Sequence, residues 1–378
     1  MQLTSLLDKI TKEFPYWTKT KLKNVLLLSF CILQKETTCL YKLKKIVGQV
    51  TGNPTTQPSS NYKRLVRVIW DHAFSSLWID LLMYVFNLLR LKCNYLVLDG
   101  SAWKKGSTYY HYLTLAVVYQ GVAIPIYWED LRKKGNSSQK QRKRIIKKAL
   151  QYFNLEEKIL LADREYIGSD WFKFLIDNEI DFVIRLRKKN YKSVVNESPG
   201  KSYEELEAKA MRSKKLGKAV GKRIVLNGMT LMFVIVKNPN PKATDQLIYL
   251  ISSLDEAPAC ISTRYPIRWQ IEMCFKHLKS NGFELEKANV KGKARQKLLM
   301  AIVVFSYTLS VCEGLKNYKK VPCKTYADGK SYKAVSVFRY GIDKLLTKCY
   351  SFIQFCRYLV REIHDKLPNY RSQKSFFV

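Results

Sequence analysis

Histidine, paired cysteines and long apolar runs are scarce in this chain, and each shortage excludes a class of protein. Only four histidines occur, and the nine cysteines include no C-x-x-C pair. A zinc site of cysteine and histidine is therefore not predicted, and any metal ion would be a hard cation bound by carboxylates. We expect the cysteines to be reduced, buried thiols of a cytosolic protein.

The apolar runs are too short to predict a membrane protein. The longest covers residues 298–312 and falls short of the ~20 residues that a spanning helix needs, so a buried core helix is expected there. The first residues, MQLTSLLDKITKEF, carry acidic side chains early and lack the apolar core of a signal peptide. We therefore expect no membrane partner.

Acidic residues are outnumbered two to one, which predicts a polyanionic partner. The chain has 66 Lys and Arg against 31 Asp and Glu, a formal net charge of +35. Without a membrane segment, nucleic acid is the expected partner. A hydrophobic content of 47% excludes a disordered basic tail, and 378 residues suffice for two or three domains.

The first region, residues 1–92, is predicted to be helical and to bind DNA. Apolar residues recur at helical spacing in 22–33, 40–50 and 61–91. The link TGNPTTQPSS is rich in turn formers and precedes the basic segment YKRLVRVIW. A helix-turn-helix variant and an ordinary helical hairpin both fit this pattern, and the positive charge favours DNA contact.

The next region, residues 93–187, changes to a strand pattern. Runs of β-branched and aromatic residues, with a Gln-Gly turn at 120–121, predict three antiparallel strands. A Ser-capped basic helix, a short apolar strand, a helix at 169–178 and the strand DFVIRL follow. This order is that of an RNase H-like mixed sheet, an α/β fold.

The remaining regions complete the expected organisation. Residues 188–257 form a β-rich insertion, in which VLNGMT predicts a hairpin with an Asn-Gly turn. Residues 258–315 return to the RNase H-like core, and 316–378 form a helical C-terminal region that reaches to about residue 367 and is available for dimerisation.

Two acids stand at the ends of apolar strands. Asp99 follows YLVL, and Asp163 follows KILLA. A buried carboxylate must be paired, hydrated or bound to metal, and adjacent strands lie about 4.8 Å apart, so the two acids can share metal ions. Taken singly, Asp99 before Gly-Ser fits a turn and Asp163 fits an ion pair with Arg164.

A third acid, Glu272, lies in the run YPIRWQIEMCFKHLK at 265–279. On a helix, Tyr265, Arg268, Glu272 and Lys279 fall within roughly 60° of one another at about 100° per residue. Alone, this pattern fits a salt-bridged surface. With the two acid-tipped strands it predicts the third carboxylate of a metal site.

These motifs resemble the DDE transposases of bacterial insertion sequences, in particular the insertion-sequence-four group. That group's signature Tyr-x2-Arg-x3-Glu-x6-Lys is matched in full by the four residues just named. LVLDGS and LLADREY are similar to its first and second acid motifs, and the β-rich insertion is also a feature of the group. The resemblance spans about residues 94–315 and, more loosely, the N-terminal region.

The resemblance implies a cut-and-paste DNA transposase of the bacterial cytoplasm, associated with the nucleoid. Asp99, Asp163 and Glu272 would bind two Mg²⁺ ions, for which Mn²⁺ can substitute. Strand cleavage at the terminal inverted repeats would lead, through a DNA hairpin, to attack of the 3′-OH on target DNA. The enzyme would act as a homodimer on double-stranded DNA, with the helices after Tyr332 as dimer contacts.

Several residues are predicted to contact DNA. By resemblance, the signature Tyr265, Arg268 and Lys279 bind phosphates near the cleaved end. Trp269 is expected either to stack on an unpaired base or to pack in the core. The other predicted contacts are Arg164 and four cations of the basic helix, Lys140, Arg142, Lys143 and Arg144. The alternative for this helix is an ordinary solvent-exposed face without DNA contact.

Two further points remain open from the sequence. Some relatives hold a flipped base with a Trp in the insertion, but no Trp lies between Trp171 and Trp269 here, so either Tyr249 or Phe233 substitutes for it or the base is held in another way. The alternative functions are an RNase H-like Mg²⁺ nuclease that cuts without joining and a non-catalytic DNA-binding relative. The presence of all three acids argues against the latter.

Overall fold

A computed structural model describes residues 2–14, 16–88, 93–325, 329 and 331–366. The chain divides into a helical unit, Met1–Leu91 with Cys274–Val378, and a sheet unit, Lys92–Met273. Asp99, Asp163 and Glu272 all belong to the sheet unit. The candidate site can therefore be described within that unit alone.

The described residues form α-helices, strands and three short 3₁₀ helices. The α-helices are α1 (Leu3–Thr11), α2 (Lys19–Lys35), α3 (Leu40–Thr51), α4 (Pro58–Asp71), α5 (Leu77–Leu88), α6 (Gln139–Leu150), α7 (Ser169–Ile176), α8 (Lys192–Glu197), α9 (Tyr203–Arg212), α10 (Pro258–Arg264), α11 (Gln270–Lys279), α12 (Lys293–Asn317), α13 (Val337–Lys348) and α14 (Phe352–Lys366). The strands are β1 (Tyr95–Lys105), β2 (Thr108–Tyr119), β3 (Val122–Asp130), β4 (Ile159–Ala162), β5 (Asp181–Leu186), β6 (Ala219–Leu226), β7 (Met229–Lys237), β8 (Leu247–Ser252), β9 (Cys323–Thr325) and β10 (Ser331–Lys333). The 3₁₀ helices are Tyr265–Trp269, Leu285–Lys287 and Tyr318–Lys320.

The sheet unit is built on one eight-stranded mixed sheet in the order β3-β2-β1-β4-β5-β8-β7-β6. β4 pairs in parallel with β1 and with β5, and the other neighbours pair antiparallel. The first five strands have the RNase H-like arrangement, which confirms the predicted fold class. The three insertion strands extend the same sheet, because β8 pairs with β5.

Both predicted hairpin turns are confirmed by their backbone angles. Gln120 and Gly121 have φ of 46° and 80°, and Asn227 and Gly228 have φ of 48° and 77°. Two successive residues with positive φ suit a two-residue hairpin turn, and glycine adopts such angles without steric cost.

The basic helix α6 begins as its sequence predicts. Ser138 accepts a hydrogen bond from the Gln141 backbone N–H, and the Gln141 side chain accepts one from the Ser138 N–H, which completes a capping box. Its apolar residues, Ile145 and Ile146, are fully buried. The amphipathic helix is thus fixed by one side and carries most of its cations on the other.

The single helix predicted for 61–91 is wrong, because two helices, α4 and α5, occupy this stretch. Ser75 donates a hydrogen bond to the His72 carbonyl and accepts one from the Leu77 backbone N–H, while Ser76 donates to Asp80. Serine side chains that bond nearby backbone compete with helix propagation. Residues 89–91 lie outside the described part of the chain.

The helix predicted for 265–279 is also interrupted. Residues Tyr265–Trp269 form a 3₁₀ turn that continues from α10 and leads into α11. Pro266 lies in the first turn of this segment, where its missing N–H is tolerated. A 3₁₀ helix has three residues per turn, so the α-helical spacing used for the four signature residues does not apply to Tyr265 and Arg268. The prediction that all four lie on one α-helical face is therefore wrong.

In the helical unit, α12 is long and apolar enough to cross a membrane. Its apolar window has a mean hydropathy of 1.9, but 94% of that window is buried inside the protein. Burial of this extent is typical of the core helix of a soluble domain, which agrees with the core helix expected there.

Candidate active site

Asp99 lies on β1, and Asp163 directly follows the parallel neighbouring strand β4. Leu98 in β1 is in register with Ala162, the last residue of β4, so each acid follows a paired residue. Asp99 accepts a hydrogen bond of 2.8 Å from the Gly100 backbone N–H. Asp163 likewise accepts one of 2.7 Å from the Arg164 backbone N–H. Neighbouring strands at about 4.8 Å thus bring two oriented carboxylates together.

The prediction that Asp99 closes its strand is wrong, because β1 continues to Lys105. Its partner β2 pairs with β1 along the whole length of β1, with Asp99 opposite Thr114. β4 ends before Asp163, as predicted. Asp99 is therefore held by strand pairing on both sides of its position, which makes it the more rigid of the two acids.

Arg268 links two of the three acids. Its Nη1 lies 3.2 Å from Oδ2 of Asp99, and its Nη2 lies 2.6 Å from Oε1 of Glu272. The hydroxyl of Tyr265 donates a hydrogen bond of 3.4 Å to Oδ1 of Asp163. The 3₁₀ turn and the start of α11 thereby connect all three acids into one cluster.

The charges of this cluster interact strongly. Burial raises the pKa of Asp99 to about 6, even though Arg268 and the Gly100 N–H lower it, and the charges of Asp163 and Glu272 raise it further. Burial also lowers the pKa of Arg268, but Tyr265 and the acids outweigh this and hold it above its ordinary value. The three carboxylates therefore lie within electrostatic range of one another around one guanidinium.

Arg268 neutralises acids in this structure, whereas the sequence predicts it as a phosphate ligand; that phosphate contact stays a prediction. Its side chain is only 11% exposed and pairs with both Asp99 and Glu272. A phosphate can reach this guanidinium only if it replaces those carboxylates. Residue spacing does not reveal the contact between Arg268 and Asp99, because that contact depends on how the helical segment lies on β1.

Lys279 lies in the helical unit, in the last turn of α11. Its Nζ is 3.6 Å from Oε1 of Glu286, and burial lowers its pKa while that carboxylate raises it. Its phosphate contact stays a prediction. Trp269, in contrast, is 57% exposed, so the alternative that it packs in the core is wrong.

Arg164 does not pair with Asp163 through its guanidinium, as one alternative required. Its Nη1 lies 3.9 Å from Asp245, and more than half of its side chain is exposed. Only its backbone N–H contacts Asp163. Arg164 is accordingly accessible beside the acids, and its DNA contact stays a prediction.

The cations of α6 differ from one another in accessibility. Lys140 is exposed and Lys143 is half-buried, with its Nζ 5.6 Å from the Phe174 ring. Arg144 is exposed but lies 2.5 Å from Glu129. The predicted DNA contact of Arg142 is not supported: it is buried, and its Nη2 donates to the Ser137 carbonyl at 2.7 Å.

The burial of Arg142 has a cause that the sequence analysis missed. Glu165 accepts hydrogen bonds of 2.7 Å from the Ser137 N–H and hydroxyl, which also contacts Arg142. The ring of fully buried Tyr166 lies 5.0 Å from the guanidinium, and its hydroxyl has no hydrogen-bond partner among the described atoms. The signal was present in LLADREY, whose last two residues anchor the start of α6 next to Asp163.

The proposed substitutes for an insertion tryptophan are also wrong, since both are buried. Phe233 is fully buried, and Tyr249 is 6% exposed with its hydroxyl donating to Glu207 at 2.5 Å. Both lie on strands that joined the main sheet and are covered by α9. Neither can hold a flipped base without unpacking the insertion.

The donor set of the cluster fits a hard divalent cation. The three carboxylates supply only oxygen ligands. Asp99 is close enough to Asp163 and Glu272 for the charges of both to raise its pKa. Within the described ranges, no group of three His, Cys, Asp or Glu side chains is arranged closely enough to hold a metal ion without rearrangement. Arg268 lies between Asp99 and Glu272, so a metal ion held by both acids would take the place of this guanidinium.

Similar proteins are found by structure and by family model. One solved structure, the piggyBac transposase synaptic complex with hairpin DNA, is similar at 14% sequence identity and a TM-score of 0.46, over 93% of this chain and 77% of that chain. No curated protein matches the chain by sequence. A family model described as the transposase DDE domain matches residues 95–309 and includes all three acids. Because this match covers more than half of the 378 residues, the protein belongs to the transposase DDE domain family and is a DDE-type DNA transposase.

Proposed function

We propose that the protein is a cut-and-paste transposase of the insertion-sequence-four group. It would cleave strands at the transposon ends with Mg²⁺ and join the freed 3′-OH to target DNA. The observation that carries this proposal is the linkage of Asp99, Asp163 and Glu272 by strand register and by Arg268. The match of Tyr265, Arg268, Glu272 and Lys279 to the group's signature supports the assignment.

Each residue of the cluster has a role in this chemistry. Asp99, Asp163 and Glu272 would hold two Mg²⁺ ions, which when bound supply Lewis acidity at the attacking and leaving oxygens of phosphoryl transfer. Arg268 would move from its carboxylates to a phosphate of the cleaved end, which it can bind in a bidentate way. Tyr265 would keep Asp163 oriented through its hydroxyl.

Partners follow from the same proposal. The substrates would be the terminal inverted repeats and target DNA, both double-stranded, and their phosphates would contact exposed Lys140 and Arg164 and half-buried Lys143. Residues 1–92 would add a DNA-binding region. We also propose a homodimer on paired ends and a bacterial, nucleoid-associated location.

A strand-transfer assay tests the function as a whole. The full chain, Mg²⁺ and linear DNA that carries the inverted repeats flanking its gene should yield joined products, with hairpin ends if that route is used. Nicks without joined products would favour the nuclease alternative. DNA binding without any cleavage, in Mg²⁺ or Mn²⁺, would favour the non-catalytic alternative.

Trp269 is proposed to stack on an unpaired base at the cleaved end. Because its ring is exposed, Trp269→Ala should leave the melting temperature within about 1 °C of wild type. Loss of stacking should weaken binding to a single-stranded or pre-cleaved end by roughly 1–3 kcal/mol. Trp269→Phe, which keeps an aromatic face, is the matched control and should retain most of the affinity. Equal affinity of all three proteins would remove Trp269 from the interface.

A further inference from the structure

Four lysines line one cavity in the β-rich insertion. Lys201, Lys209, Lys218 and Lys222 surround about 440 Å³ of space. The other lining residues, among them Leu206, Val220 and Pro258, are apolar or glycine, so no carboxylate lines the cavity. We call this feature the lysine cavity.

Three elements of the sheet unit build the lysine cavity. Lys201 precedes α9, and Lys209 is on that helix. Lys222 lies on β6, the strand at the end of the sheet, and Lys218 directly precedes that strand. Pro258 begins α10 and lies at the same cavity. Regular elements thus fix the backbone positions of Lys209 and Lys222, and the other two lysines lie within two residues of such an element.

One of the four lysines is held in place by the protein. Lys222 is half-buried and donates a hydrogen bond of 2.8 Å to the Ser198 carbonyl. Burial lowers its pKa, and Glu205 partly offsets that effect. The ammonium group is therefore anchored at the cavity wall and is not a freely solvated surface charge.

The other three lysines of the cavity lie close enough to repel one another. The charge and the side chain of Lys201 lower the pKa of Lys209, and Lys218 adds to this repulsion. No ion pair within the described residues 93–325 includes Lys201, Lys209 or Lys218. Glu205 lies within electrostatic range of Lys201 and Lys222 and offsets part of their charge, but it does not line the cavity.

The remaining acids of α9 are used elsewhere. Glu204 pairs with Lys192, and Glu207 lies 3.1 Å from Lys188 and accepts the Tyr249 hydroxyl. Glu204 and Glu207 therefore neutralise lysines outside the cavity, and the lysine cavity keeps a net positive charge. Mutually repelling cations around an open cavity suit an anionic ligand, since that ligand relieves the repulsion it encounters.

We propose that the lysine cavity binds the phosphodiester backbone of duplex DNA independently of base sequence. This inference rests on the proposed function, which brings DNA to the sheet unit. Lysine binds phosphate as a point charge, and its flexible stem can follow a backbone without reading bases. The insertion would then add affinity outside the carboxylate cluster and would not take part in chemistry.

The test compares two triple variants of the full chain. Lys201→Gln, Lys209→Gln and Lys218→Gln are combined in one protein. Lys214→Gln, Lys215→Gln and Lys242→Gln are combined in the control, which removes the same charge from exposed lysines that do not line the cavity. Affinity for an arbitrary 40-bp linear duplex is measured with EDTA at several salt concentrations, and binding of sodium phosphate alone is measured in parallel.

The cavity variant should bind the duplex about 10- to 100-fold more weakly at moderate salt, with a salt slope smaller by roughly 2–3. The control should stay within about 3-fold of wild type. Equal losses in both variants, or no loss in either, would overturn the inference and leave the proposed function intact. A cavity variant that loses only phosphate binding would also overturn it, in favour of a small-anion site. Failure of the wild type to bind duplex would refute both proposals.

Discussion

Asp99→Asn should abolish strand cleavage while making the metal-free protein more stable. The variant keeps the size and hydrogen-bonding of the side chain but removes a charged metal ligand. Loss of several kcal/mol of transition-state stabilisation predicts at least about a thousand-fold slower cleavage. Binding to uncleaved DNA should remain, because Asp99 contributes no positive charge to that interface.

The gain in stability follows from the raised pKa of Asp99. Its carboxyl has a pKa of about 6 in the folded protein against 3.8 ordinarily, so the folded state binds the proton more tightly than the unfolded state. The associated stability is present below about pH 4 and is lost as the pH rises through about 6. Asparagine resembles the neutral carboxyl, so at pH 7 the variant should be more stable by about 1–3 kcal/mol.

Denaturant unfolding at pH 4 and pH 7, in EDTA, measures this effect. The difference between Asp99→Asn and wild type should be near zero at the lower pH and appear at the higher one. Asp170→Asn, which changes an exposed acid of α7, is the matched control and should show no such pH dependence. A variant that cleaves DNA normally, or one that is destabilised at pH 7, would contradict the role assigned to Asp99.

Arg268→Ala should both destabilise the protein and shift the pH dependence of cleavage upward. The change leaves Asp99 and Glu272 without the cation that bridges them. Breaking a buried pair costs about 3–5 kcal/mol, and the partial exposure of both acids reduces the expected loss to about 2 kcal/mol. The pKa of Asp99 should rise above 6, because Arg268 is the main charge that lowers it.

A protonated Asp99 binds metal poorly, so cleavage by the variant should need a higher pH than cleavage by wild type. Arg268→Lys keeps the charge but cannot bridge two acids in the same way, and we expect an intermediate result. Arg223→Ala removes an exposed pair with Asp255 and should cost less than about 1 kcal/mol. Unchanged stability together with an unchanged pH profile in Arg268→Ala would mean that the bridge has no energetic role.

Local patterns explain why much of the fold could be predicted from the sequence. The order of β1–β5 follows from apolar and alternating runs, which indicate strands. Short-range signals separate these runs, among them the Gln-Gly turn between β2 and β3 and the serine that caps α6. The Asn227-Gly228 hairpin is encoded by its own two residues. The break between α4 and α5 was missed because Ser75 and Ser76 act through side-chain hydrogen bonds that apolar spacing does not reveal.

The proximity of the three acids could be predicted from the sequence, but the contacts of Arg268 could not. Apolar strand runs and signature spacing indicate Asp99, Asp163 and Glu272, although β1 does not end at Asp99. The bridge made by Arg268 depends on the rotation of a 3₁₀ turn against β1, which no spacing rule for an α-helix gives. Arg142 was assigned to DNA because its acid, Glu165, is 23 residues away in sequence.

The measurement that tests the central claim most directly is metal-specific rescue of a changed ligand. Asp163→Cys replaces an oxygen donor by sulfur, which the hard Mg²⁺ ion accepts poorly and Mn²⁺ accepts better. Cleavage of DNA bearing the element's ends should fall by about a hundred-fold or more in Mg²⁺ and recover at least in part in Mn²⁺. Equal activity of Asp163→Cys in the two ions, whether high or absent, alongside active wild type would contradict the assignment of Asp163 as a metal ligand.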